Sequence, residues 1–71
     1  MRKKILFVND ALTAAKLRDI LENMHEFWEM FFVESEAEVW ERMGRERFDV
    51  LVLDLRTPDI NGLELLKQVM V

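Results

Sequence analysis

The chain has 71 residues, 51% of them hydrophobic and 34% charged, with a net charge of -4 and no cysteine. That length holds one domain with a small core, the composition excludes a disordered chain, and the absence of thiols excludes a disulfide framework or a thiolate metal site and suits a reducing, cytoplasmic compartment. An acidic balance argues against a nucleic-acid surface, which needs clustered Lys and Arg, and no apolar run is long enough to span a bilayer.

The one basic cluster, Arg2, Lys3 and Lys4, reads as a solvated lead-in to a strand, because the apolar run behind it stops at Asn9 and Asp10 with no small-residue cleavage site. Lys4 to Val8, KILFV, is the first strand. From Ala11 to Met24 the residues Ala14, Leu17, Ile20, Leu21 and Met24 recur at three and four and predict a helix with that stripe buried. His25, Glu26 and Phe27 connect it to WEMFFVE, in which Trp28, Met30 and Phe32 alternate with Glu29, Phe31 and Val33, the pattern of an outer strand with one wetter face. Ser35 with Glu38 three residues on is a capping box, each side chain satisfying a free backbone N–H at the other end of the first turn. Ala37, Trp40 and Met43 then form the expected buried side of a second helix, which Gly44 and the charged RER end.

FDVLVLDLRTPDING, residues 48–62, is the stretch that organises the rest. Val50 to Leu53 is an unbroken apolar run, the habit of a parallel strand buried on both faces, and it delivers Asp54 to its carboxyl end before a turn through Thr57, Pro58, Asn61 and Gly62. Asn61 is the expected N-cap of a third helix, with Glu64 in its first turn favouring the dipole and Leu63, Leu66, Val69 and Met70 as its apolar stripe. The sum is an α/β chain, β-α-β-α-β-α, whose right-handed crossovers make one three-stranded parallel sheet. The aromatics Phe27, Trp28, Phe31, Phe32, Trp40 and Phe48 lack interleaved basic residues and read as core or dimer contacts rather than a base-stacking platform. His25 has no chemical partner nearby in sequence and reads as an exposed linker residue, and Glu22, Glu26 and Glu29 as solvated charges.

Parallel sheets hold their chemistry beyond the carboxyl ends of the strands. Two such ends carry an acid here, Asp10, preceded by Asn9, after the first strand and Asp54 after the third. As neighbours in the sheet, Asp10 and Asp54 are placed to share one hard cation such as Mg2+, which takes carboxylate and carbonyl oxygens and keeps several waters. The structural alternative is that an acid at a strand end serves as a turn or cap residue.

With KILFVND for a strand-one acid pair and ERFDVLVLDLRTPDINGLELL for a phosphoacceptor strand, loop and following helix, the chain resembles the receiver domain of two-component response regulators. The resemblance implies part of a flavodoxin-like, doubly wound fold with strand order 2-1-3. It implies that Asp54 accepts a phosphoryl group from a histidine kinase, that Asp10, Asp54 and the backbone carbonyl of Arg56 ligate Mg2+, and that Pro58 and Gly62 shape the loop over that site. Asn9 departs from the pattern, since the family carries an acid there, and with one negative charge fewer it is expected to be a weak ligand and to lower Mg2+ affinity. Thr57 replaces the methionine usual before the proline, and Glu36 replaces a glycine usual after strand two.

Residues 1–71 are read as a truncated receiver-like domain, the first three β/α units of a five-unit family fold. The family's switch Ser or Thr, its strand-five Lys and its responsive aromatic residue have no counterparts in this sequence. Strand three then becomes an apolar edge, a template for pairing. Either two copies associate through that edge (residues 49–54) or through the C-terminal helix (62–71), or the remainder of a longer receiver covers it. Two functional expectations follow: a signalling phosphoacceptor, or a non-phosphorylated receiver-like interaction or dimerisation module. An enzyme of the haloacid-dehalogenase type is disfavoured, because that chemistry needs an acid two residues after the nucleophile and Arg56 stands there.

Overall fold

The computed structural model describes residues 2–54, 56 and 61–69. Its elements are β1 (Lys3–Val8), α1 (Ala11–Ile20), a short 3-10 turn (Glu22–Met24), β2 (Trp28–Val33), α2 (Glu36–Arg45), β3 (Val50–Leu53) and α3 (Gly62–Val69). The three strands form one sheet in the order β2-β1-β3, parallel throughout, with Phe7 level with Phe32 on one side and with Val52 on the other. The α/β class, the element order and the 2-1-3 sheet are therefore as the sequence predicts, the first three units of a flavodoxin-like fold.

β1 is central and splits the core by residue parity. Leu6 and Val8 face α2 and α3 and build one buried cluster with Val33, Val39 and Leu65, flanked by Phe31, Met43, Phe48, Leu51 and Leu53. Ile5 and Phe7 take the other face, where Phe7 stacks on Phe32 with ring centroids 4.8 Å apart and α1 contributes the buried Ala14.

Two of the three helices, α2 and α3, bury a different line of residues from the one their apolar spacing suggests, while α1 keeps its predicted stripe except at Ile20. In α1, Ala14, Leu17 and Leu21 are buried or half-buried, whereas Ile20 is 73% exposed. At about 100° per residue Ile20 falls near the rim of that stripe. The α-helical bonding ends with the Leu21 N–H on the Leu17 carbonyl at 2.8 Å, and the chain tightens into the 3-10 turn instead of continuing to Met24. In α2 the buried residue is Val39, with Met43 one turn on half-buried, while Ala37 and Trp40 lie exposed on the flank. In α3 the inward residues are Gly62 and Leu65, and Leu63 and Leu66 are exposed. In each helix the most buried side chain is a small or branched one, Ala14, Val39 or Leu65, and larger side chains lie to either side of it.

The helix starts follow the predicted caps. Ser35 Oγ accepts the Glu38 N–H at 3.2 Å, but the Glu38 carboxylate takes the Ser35 hydroxyl at 3.3 Å rather than the Ser35 backbone N–H. Asn61 Oδ1 accepts the Glu64 N–H at 3.1 Å. Gly44 does not end α2: the helix runs through it to Arg45, and the Glu46 N–H still reaches the Arg42 carbonyl at 3.0 Å. The turn expected through Thr57 and Pro58 lies outside the described residues, as do Met70 and Val71 and the side chain of Val69.

Candidate functional site

The carboxyl end of β1 is tied by the backbone to those of β3 and β2. The Asp54 N–H donates to the Val8 carbonyl at 2.9 Å and the Asn9 N–H to the Val33 carbonyl at 3.1 Å. The parallel ladder, with Val8 level with both Val33 and Leu53, thus carries Asp54 beside Asn9 and Asp10 at the edge where such sheets place their chemistry. The two carboxylates are close enough for Asp54 to push the Asp10 carboxyl upward, a repulsion outweighed by stronger effects.

Asp10 is the N-cap of α1. Its Oδ1 accepts the Thr13 N–H at 2.7 Å, and that bond holds its carboxyl below the usual carboxylate range. The cap and the site share one residue, so the sequence alternatives of cap or ligand are not exclusive. The signal was present in the sequence as an Asp directly ahead of an apolar-periodic run.

Asp54, with a side chain 16% exposed, is gripped by Arg56. Its Oδ1 accepts the Arg56 backbone N–H at 2.9 Å and Nε–H at 3.2 Å, and Oδ2 accepts from Nη2 at 3.4 Å. These bonds and the adjacent positive charge hold the Asp54 carboxyl below its usual range and raise the Arg56 guanidinium. The family resemblance implies a role only for the backbone carbonyl of Arg56. Its side chain, 87% exposed yet turned back on Asp54, was foreshadowed only by the i, i+2 spacing of opposite charges. Pro58 lies outside the described residues, and Gly62 is the buried first residue of α3.

Asn9 is 2% exposed, the one buried polar residue among those described, and its Oδ1 has no hydrogen-bond partner. Such an orphaned acceptor costs free energy unless something donates to it. The Asn9 amide, next in sequence to Asp10, and the ionised carboxylates of Asp10 and Asp54 are an all-oxygen, hard donor set, and it fits a hard divalent cation such as Mg2+. Among the described residues no cluster of three or more His, Cys, Asp or Glu side chains could hold a metal, so any such ion would also draw on the amide, backbone oxygens and water.

The fold and this strand-end carboxylate pair are those of part of a flavodoxin-like α/β domain. Residues 5–71 match the response regulator receiver domain family, and the chain belongs to that family. It is similar to the transcriptional regulatory protein CrdR of Helicobacter pylori, with 39% identity over 70 residues that cover 97% of this chain and 32% of the relative. The chain therefore spans about a third of the length of that curated relative. No solved structure gives a significant match.

Proposed function

We propose that this chain is a signalling phosphoacceptor in which Asp54 takes a phosphoryl group from the phosphohistidine of a histidine kinase. The observation that supports it most is the ionised Asp54 carboxylate held at the carboxyl end of β3 beside Asp10. In the transfer an Asp54 oxygen attacks phosphorus, the P–N bond breaks, its electron pair leaves with the imidazole and solvent supplies the imidazole proton. Oδ1 is engaged by two donors of Arg56 while Oδ2 meets one at 3.4 Å, so Oδ2 is the freer nucleophile. Asp10, Asp54, the Arg56 carbonyl and, weakly, Asn9 would hold Mg2+, which when bound neutralises charge on the phosphoryl oxygens. Arg56 supplies a second positive charge at the same place. The chain is a substrate of transfer and not an enzyme in its own right. With phosphohistidine as donor the reaction belongs in the cytoplasm, and no helix among the described residues is long and apolar enough to cross a membrane.

The test is intact mass after incubation with acetyl phosphate, with and without Mg2+, on the wild-type chain and on Asp54→Asn. One Mg2+-dependent phosphoryl adduct, lost in the variant, is the expected result. No adduct under any condition would remove the reading.

A second reading, an interaction or dimerisation module, is favoured by one observation: Val50 and Val52 are 46% and 40% exposed on the outer strand β3. Two copies paired through residues 49–54, or through α3 and the residues that follow it to 71, would cover that surface.

A further inference from the structure

The opposite edge of the sheet carries different chemistry. Carbonyls of Phe27 and Val33 point inward and accept from β1, at 3.0 and 3.1 Å. Backbone direction alternates along a parallel ladder, so Trp28, Met30 and Phe32 turn their N–H and C=O groups away from β1. Over this edge lie two guanidinium groups, one per face. Arg18 of α1 sits 4.7 Å from the Phe32 ring centroid and Arg42 of α2 sits 5.5 Å from that of Phe31. With Arg2, His25, Trp28 and two carboxylates, Glu22 and Glu29, they line a groove of about 460 Å³ along β2. Arg2 is partly spent on Glu29 at 3.9 Å. Neither Arg18 nor Arg42 has a carboxylate within ion-pair distance among the described residues, although the chain as a whole carries a charge of -4.

We propose that the β2 edge docks an extended acidic segment of a partner protein, which adds to the sheet as a further strand and sets carboxylates on Arg18 and Arg42. The geometry specifies the ligand beyond its charge. An added strand lies about 4.8 Å out and sends adjacent side chains to opposite faces, so two neighbouring acidic residues reach the two guanidiniums on the two faces. Main-chain bonds to the outward groups of β2 supply affinity and the paired carboxylates supply selection. The aromatic faces already hold both guanidiniums at the rim, which reduces the entropy lost on binding. The inference is independent of the chemistry at Asp54, which lies at the end of the far strand, β3.

The probe is a blocked hexapeptide TVEEVT titrated into the isotope-labelled chain, followed by amide chemical shifts. Saturable binding with a dissociation constant below about 1 mM, largest shifts at Met30 and Phe32, and weakening as salt rises from about 0.05 to 0.5 M are expected. The charge-reversed peptide TVKKVT should not bind. Arg18→Gln with Arg42→Gln should weaken TVEEVT about tenfold, the variant first being shown to melt cooperatively. The peptide reversal reads the same question on the wild-type chain if the variant does not fold. No saturable binding would mean that the arginines only guard the edge against pairing and would overturn the proposal. So would equal binding of both peptides, or binding that leaves Met30 and Phe32 unmoved.

Discussion

At Asp54 the opposing demands on the proposed phosphoacceptor meet in one contact. The carboxylate must be ionised to attack, which the Arg56 bonds favour, and it must be free to reach phosphorus, which the same bonds resist. Arg56→Ala keeps the backbone N–H and removes the fork. The account predicts faster labelling of Asp54 by acetyl phosphate in this variant, read from the initial rate of adduct formation, together with weaker dependence on ionic strength. Asn9 poses a second residue-scale question. Asn9→Asp puts a further negative charge in a site 2% exposed, so the variant should melt lower than wild type without Mg2+ and regain more stability than wild type as Mg2+ is added, both measured by thermal denaturation. Asp10 gives a pH signature. Its carboxyl is depressed in the folded chain by the Thr13 N–H, so its contribution is fully present above the unfolded value of about 4 and is lost as pH falls through the folded value. Asp10→Asn keeps a capping oxygen without that titration, and its stability should fall less steeply with acid than that of wild type.

At the scale of elements, the helices test which residues secure them. Leu65 is fully buried and Leu63 is 63% exposed, so Leu65→Ala should cost about 3 kcal/mol and Leu63→Ala under about 0.5 kcal/mol. Equal losses in urea melts would mean that α3 packs by the stripe its spacing suggests. Ser35→Ala should cost about 1 kcal/mol through the lost cap. A Cβ at Gly44 meets nothing within 4 Å, so Gly44→Ala should stabilise α2 by about 0.5–1 kcal/mol. Strand positions and caps were legible because they depend on local residues: KILFV, VLVL, Ser35 and Asn61 each carry their own signal. The faces of α2 and α3 were not, because which of two apolar lines is buried depends on the sheet surface opposite. Val39 and Leu65 join the buried cluster of Leu6, Val8 and Val33, and no spacing within α2 or α3 encodes that.

For the whole molecule, β1 is sheltered on both sides while β2 and β3 are both outer strands of the described sheet, and their chemistries differ. β2 is bordered by arginines over aromatic rings, and β3 by exposed valines. The apolar run of residues 50–53 announced a doubly buried strand, and the exposure of Val50 and Val52 departs from it because no element covers that side among the described residues. If two copies cover each other there, sedimentation equilibrium should show a dimer that Val52→Lys dissociates. A wild-type monomer at high concentration with a cooperative melt would end that reading. The positions of Asp10 and Asp54 followed from strand ends alone, since parallel order fixes which ends adjoin. The Arg56 grip did not, because it depends on the path of the loop after β3.

The most direct measurement is to treat the chain with acetyl phosphate and Mg2+, reduce it with borohydride, which converts an aspartyl phosphate to homoserine, and locate the change by peptide mass. The account predicts homoserine at position 54 and nowhere else. Homoserine at Asp10, or no reduction product at any aspartate, would contradict it.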